Sequence, residues 1–226
     1  MAKSEKEQLR SCMKESMKVL AKDIRAKVAV SCVYKKDKEY FWYIQDTPHL
    51  SNTRMVTIGI KPWRYDELVL SIAHPEEAIR ITDKLRWDGV FVAPCYIIRQ
   101  KSYELPINAD GEIDFGKIPE MCKTIFDESV ECITEFCKTI ETEYGDLNEF
   151  HILRASIDPL TAGLALLDGR NYQQAIEQFR IAEQKRLSFN WCFGSRKRDL
   201  RDVLVDYCFA SQSGQKWTKE MVAASI

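Results

Sequence analysis

The feature that most constrains the fold of this chain is a long helical periodicity after residue 117. Apolar side chains recur there at intervals of three and four residues, from Ile118 to Ile140, which is the spacing of one helix face. The pattern predicts one amphipathic helix over residues 118–143, about seven turns long. A helix with a continuous apolar stripe must cover another layer of secondary structure, so the rest of the chain has to supply that layer.

The N-terminal region predicts a second amphipathic helix. Ser4 and Glu7 have the spacing of a capping box, in which each side chain binds the backbone N–H of the other residue. We expect this helix to run for about five turns and to pack against a sheet. Its apolar stripe consists of Leu9, Cys12, Met13, Met17, Leu20 and Ile24.

The following segments change to strand periodicity. Over residues 28–35, one set of apolar side chains at every second position alternates with a second set. A polar turn follows at 36–38, and residues 40–44 are rich in aromatic side chains. The two runs predict a β-hairpin. Residues 54–61 predict a third strand, which Pro62 ends, and residues 90–103 predict an edge strand or a bulge because Pro94 cannot donate to a ladder.

Two helices are predicted between these strands. Residues 65–73 fit both helical and strand spacing, and we favour a helix. A second helix is predicted to begin at Pro75, where a missing N–H costs nothing, and to end at Gly89.

These elements predict an α+β fold, with an antiparallel sheet flanked by the N-terminal and the long central helix, followed by an all-helical C-terminal extension. We place the boundary at Gly145, with an α+β domain over residues 1–144 and a helical domain over residues 145–226. No strand pattern follows this boundary. The predicted C-terminal helices are 147–155, 159–168, 172–186 and 196–210.

Charge and composition exclude several classes of protein. The chain has 33 Lys and Arg against 34 Asp and Glu, a net charge of −1. This balance disfavours a protein whose main role is to bind the phosphates of nucleic acids. No apolar run reaches the ~18 residues of a membrane helix, and no secretory leader pattern opens the chain. The eight cysteines contain no Cys-x-x-Cys pair, and we expect a cytoplasmic protein with reduced thiols.

Recognisable catalytic and cofactor motifs are missing from the sequence. There is no dinucleotide fingerprint, phosphate loop or Gly-x-Ser-x-Gly run, and none of the three histidines has another His or a Cys within ten residues. We therefore predict no metal and no cofactor. An enzyme, for example a hydrolase, would need a site assembled from distant residues, and His74 with Cys95 is the pair we can suggest.

Residues 163–182 combine small and bulky side chains in a pattern typical of a helical hairpin. Gly163 lies where two helices would approach closely, Asn171 and Tyr172 would open the second helix, and Ala175, Phe179 and Ala182 would form its packing stripe. This segment resembles one degenerate tetratricopeptide-type hairpin. The resemblance implies a helical packing unit with partner-binding use; a plain helical hairpin is the alternative.

The leading functional hypothesis is a non-catalytic interaction or adaptor protein with a protein partner or with itself, and with no membrane. Aromatic side chains in and around the predicted sheet are candidate binding residues, since such side chains are enriched in interfaces. A local basic helix start offers nucleic-acid or anion binding as a further alternative. The candidate binding residues are Tyr40, Trp42, Trp63 and Trp87 among the aromatics and Arg196 and Arg198 among the cations.

Overall fold

The computed structural model describes residues 4–29, 32–37, 39–50, 52–75, 93–187, 189, 192–193 and 198–225. The chain divides into two units, Met1–Ile60 with Tyr96–Thr139 and Lys61–Cys95 with Ile140–Ile226. A five-stranded antiparallel sheet and two helices make up most of the first unit, whereas the second is mainly helical. The predicted α+β class is confirmed.

The elements alternate between helix and strand up to the long central helix and are almost all helical after it. In chain order they are α1 (Glu5–Asp23), β1 (Lys27–Ala29), β2 (Cys32–Asp37), β3 (Tyr40–Pro48), β4 (Thr53–Pro62), α2 (Arg64–Ala73), β5 (Tyr96–Glu104), α3 (Ile118–Thr139), a π-helical turn (Ile140–Tyr144), α4 (Leu147–Leu153), α5 (Pro159–Asp168), α6 (Tyr172–Gln184), β6 (Cys192–Phe193), β7 (Arg198–Asp199), α7 (Leu200–Gln212) and α8 (Lys219–Ser225).

The sheet of the first unit is a meander in which the strand order follows the sequence from β1 to β5. The predicted hairpin is confirmed, because β2 and β3 pair antiparallel from Cys32↔Gln45 to Asp37↔Tyr40. A register shift between Ile58 and Gly59 interrupts the pairing of β4 with β5. A Cβ atom at Gly59 would lie 2.3 Å from the Tyr43 ring, so glycine is required there.

One strand prediction is wrong. Residues 28–35 were expected to form a single strand, but β1 and β2 pair with each other, with Ala29 opposite Cys32. β1 and β2 are therefore two antiparallel strands rather than one. Strand alternation has the same period in both strands, and no Gly, Pro or Asn separates them in the sequence, so the sequence pattern does not reveal the interruption.

Two helices cover the sheet of the first unit. The predicted capping box of α1 is present, and Leu9, Met13, Met17 and Ala21 form its buried face. α1 packs along α3 and beside β1, and α3 contacts β3 and β5. The long central helix is confirmed over Ile118–Thr139, and its expected last turn is the π-helical segment.

The second unit is built from helices that pack on their neighbours in sequence. α4 packs on α5, α5 on α6 and α6 on α7, while α2 joins both α5 and α7. The helical interpretation of residues 65–73 is confirmed, and α2 contributes Tyr65, Val69 and Ile72 to the core. A Cβ atom at Gly163 would lie 2.5 Å from the Phe179 ring, which shows how closely α5 approaches α6.

The division between the units differs in position from the predicted boundary at Gly145. It falls between Thr139 and Ile140, and residues 61–95 belong with the C-terminal helices. Apart from Pro75, the predicted helix from Pro75 to Gly89 lies outside the described residues. No helix within the described ranges is long and apolar enough to cross a membrane.

Candidate functional site

The aromatic residues predicted to bind a partner lie mostly inside the protein. Trp42 is 6% exposed and Trp63 is 5% exposed, while Tyr40 is half-buried. The Trp63 Nε1–H donates to Glu67 Oε1 at 3.0 Å. These two tryptophan rings therefore do not form an open aromatic face. Trp87 lies outside the described residues, and the binding role of this group stays a prediction.

The suggested Cys–His pair lies in the second unit and contains no activated thiol. His74 caps the C-terminus of α2 and is half-buried. Cys95 is half-buried as a residue, but burial of its thiol, against the opposing charge of Lys61, raises the pKa of the thiol to about 12. A nucleophilic cysteine needs the opposite shift, so this observation disfavours the enzyme hypothesis at Cys95.

The basic segment at the start of α7 is described only in part. Arg196 lies outside the described residues, and Arg198 stands in β7 opposite Phe193. Arg201, the next cation, is buried: its guanidinium donates to Asp202 Oδ1 and to the Leu187 carbonyl oxygen. Nucleic-acid binding at Arg196 and Arg198 stays a prediction.

A buried ion pair in the second unit was not foreseen from the sequence. Lys61 Nζ lies 2.6 Å from Asp66 Oδ1 and donates to the Ala93 carbonyl oxygen at 2.8 Å. The Ala93 N–H donates to the same Asp66 oxygen at 2.8 Å. Both charged side chains are fully buried, so the cluster joins the end of β4, α2 and residue 93 without offering a surface to a solute.

A surface groove between α1 and α3 is the most suggestive feature of the first unit. We call it the α1–α3 groove. α1 and its C-cap contribute one wall and α3 contributes the other. The lining residues are Leu20, Asp23 and Ile24 on the first wall and Lys123, Phe126, Asp127, Val130, Glu131, Thr134 and Glu135 on the second.

The floor of the α1–α3 groove is apolar and incompletely covered. Phe126 is buried, whereas Leu20, Ile24 and Val130 are half-buried. On α3, Phe126 and Val130 are four residues apart and thus stand one above the other on the same helix face. The two helices pack closely enough to bury Phe126 but leave the flanks of the other three side chains open.

The rim of the groove is acidic. Lys123, Asp127, Glu131 and Glu135 follow each other at four-residue spacing along α3, and Lys123 forms an ion pair with Asp127. Asp23 stands on the opposite wall. Within the described residues, Asp23, Glu131 and Glu135 form no ion pair. Four carboxylates against one ammonium among the lining residues give this apolar groove a negative potential.

Comparison of the chain with protein-family models, with characterised proteins and with solved structures finds no match. The described part of the chain holds no cluster of three His, Cys, Asp or Glu side chains suited to a metal ion. The four-residue spacing of acidic residues along α3 is visible in the sequence. The packing of α1 beside α3, which completes the groove, is not.

Proposed function

We propose that the protein is a non-catalytic interaction protein whose α1–α3 groove binds a basic amphipathic helix of a protein partner. The observation that carries the proposal is the coincidence of a half-open apolar floor with three carboxylates that have no ion-pair partner in the described chain. An amphipathic helix in a groove is a common mode of peptide recognition, with apolar anchors at three- and four-residue spacing.

The length, apolar floor and acidic rim of the groove favour a helical and basic occupant. The wall formed by α3 extends about 18 Å along the helix axis from Lys123 to Glu135. This length matches about three turns of a partner helix. Apolar side chains of that helix would cover Leu20, Ile24 and Val130, each square ångström of buried apolar surface contributing about 25 cal/mol. Lysine or arginine on its flanks would meet Glu131, Glu135 and Asp23, which favours fast association that weakens with salt.

The remaining predictions are compatible with this proposal. Seven of the eight cysteines are described as free thiols, which supports a reducing compartment such as the cytoplasm. The tetratricopeptide resemblance of residues 163–182 would add a second partner-binding element. We assign the first role to the groove because its apolar floor is open, whereas Gly163 and Phe179 are buried against each other.

The test uses the full chain and a synthetic helix as the probe. The probe is a fluorescein-labelled peptide of about 14 residues, with leucine at the positions of one helix face and lysine elsewhere, and its control is a scrambled peptide of the same composition. Fluorescence anisotropy should show binding of the patterned peptide and weaker binding at high salt. Equal binding of the scrambled peptide would contradict the proposal.

Charge reversal in the protein locates the binding surface. The double variant Glu131→Lys/Glu135→Lys should weaken binding about tenfold, since exposed charge pairs contribute about 0.2–1 kcal/mol each. Glu183→Lys is the matched control, because Glu183 is an exposed helical glutamate on α6 in the other unit. Unchanged affinity in the double variant, or self-association through the groove in sedimentation experiments, would exclude the proposed occupant.

A further inference from the structure

A second cavity of the first unit has the opposite charge. We call it the α1–sheet pocket, because it lies where the N-terminal half of α1 covers the sheet. Its volume is about 30 Å³, more than the ~10–15 Å³ that a single water requires. The lining residues are Arg10, Met13, Lys14 and Met17 on α1 and Val28, Cys32, Val33, Ile44, Asp46 and Arg54 on strands β1 to β4.

The interior of the α1–sheet pocket is apolar. Met13, Met17, Val33 and Ile44 are each at most 6% exposed, and Cys32 is a buried free thiol. Cavity walls of this apolar kind accept apolar groups. Methionine side chains are unbranched and flexible, so movement of Met13 and Met17 would enlarge the cavity and admit a short hydrocarbon chain.

The polar side of the pocket is cationic. Arg54 is held by Asp46, with Nε–H donating to Oδ1 at 2.7 Å and Nη2–H donating to Oδ2 at 2.5 Å. Those two bonds fix the guanidinium plane and leave the Nη1 donors without a partner among the described residues. Arg10 and Lys14 also form no ion pair there. Three cations and one carboxylate line the pocket, so it carries two positive charges in excess.

We infer that the α1–sheet pocket binds a small organic anion with a short aliphatic tail, of the class of short-chain carboxylates. The carboxylate accepts hydrogen bonds from Arg54 Nη1 and from Arg10 or Lys14, and the tail lies between Met13 and Met17. An inorganic anion would leave the apolar walls unused, and a long acyl chain exceeds the cavity. This inference is independent of the proposed role of the α1–α3 groove.

The test is a titration of the full chain with acetate, butanoate, hexanoate and octanoate, followed by NMR of ¹³C-methyl methionine. The chain has six methionines, and the signals of Met13 and Met17 should shift while that of Met221 in α8 stays unchanged. Affinity should rise about fourfold per added CH₂, reach a maximum at an intermediate length and then fall. The alcohol of the same length should bind at least about tenfold more weakly.

Two variants test the cationic side without disturbing the core. Arg10→Gln and Lys14→Gln should each weaken carboxylate binding about fivefold, since Arg10 is exposed and Lys14 half-buried on the surface of α1. Lys22→Gln, an exposed cation on the same helix outside the pocket, should bind as the unchanged protein does. The inference is overturned if Met13 and Met17 do not respond, if alcohols bind as well as carboxylates, or if all three variants behave alike.

Discussion

Lys61 and Asp66 form an ion pair at 2.6 Å in which both side chains are fully removed from solvent. The carboxylate accepts a second bond from the Ala93 N–H, and the ammonium donates to the Ala93 carbonyl oxygen. Asp66 Oδ2 has no hydrogen-bond partner in the described structure. The ion pair and its bonds to Ala93 therefore offset most, but not all, of the free-energy cost of burying the two charges.

Removing one member of this pair should be far more damaging than removing an exposed charge. Lys61→Met leaves Asp66 buried without a counter-charge, and we expect the free energy of unfolding to fall by about 3–5 kcal/mol. Lys123→Met, which removes the exposed partner of Asp127, should cost less than about 1 kcal/mol. Urea denaturation at neutral pH measures both, and equal losses would show that burial does not decide the effect.

The same carboxyl predicts a pH dependence of stability. Burial raises the pKa of Asp66 from 3.8 to about 6, against the opposing attraction of Lys61. Because the folded-state value is the higher one, the stabilising contribution is complete below pH 4 and is lost as the pH rises through 6. Relative to Asp66→Asn, the unchanged protein should lose stability between pH 4 and pH 7. Denaturation midpoints that move in parallel for the two proteins would rule this out.

His151 should act in the opposite direction. It is buried between the rings of Tyr65 and Phe150, and burial lowers its pKa from 6.5 to about 3. A depressed pKa contributes stability above pH 6.5 that disappears as the pH falls towards 3, up to about 5 kcal/mol. His151→Phe keeps an aromatic ring without a titrating group, so its acid unfolding should occur at lower pH. Circular dichroism during acid titration measures the midpoint, and an unchanged midpoint would contradict the prediction.

Gly163 should tolerate no side chain, although it lies in a helix. A Cβ atom there would stand 2.5 Å from Phe179 Cε1, and we expect Gly163→Ala to cost about 1–3 kcal/mol despite the better helix propensity of alanine. Gly169→Ala is the control, since its nearest atoms lie at an ordinary 3.6 Å. The double variant Gly163→Ala/Phe179→Leu should recover part of the loss in thermal denaturation. A stable Gly163→Ala protein would mean that α5 and α6 can separate at little cost.

Helices with strong periodicity were predictable from the sequence because their own side chains define the buried face. α3 is the best example, and the capping box at Ser4 marked the start of α1 correctly. The proximity of Gly163 to a second helix was also expected. Each of these conclusions depends on residues within one helix or one helical hairpin.

The features that the sequence did not reveal depend on which elements become neighbours. Asp66 stands in the first turn of α2, where an acidic residue is usually exposed and favoured by the helix dipole. Lys61 is on the polar side of its predicted strand. Only the tertiary packing buries both of them, and it likewise brings Leu20 beside Val130 to form the α1–α3 groove.

The meeting of Ile60 and Tyr96 in the sheet has a consequence for how the chain is synthesised. The chain leaves β4 and returns to β5 at nearly the same point, and the intervening excursion carries α2 into the core of the second unit. That core also needs Leu200, Val203 and Leu204 of α7. On the ribosome, α2 therefore emerges well before these packing partners and cannot complete its packing until α7 has been translated.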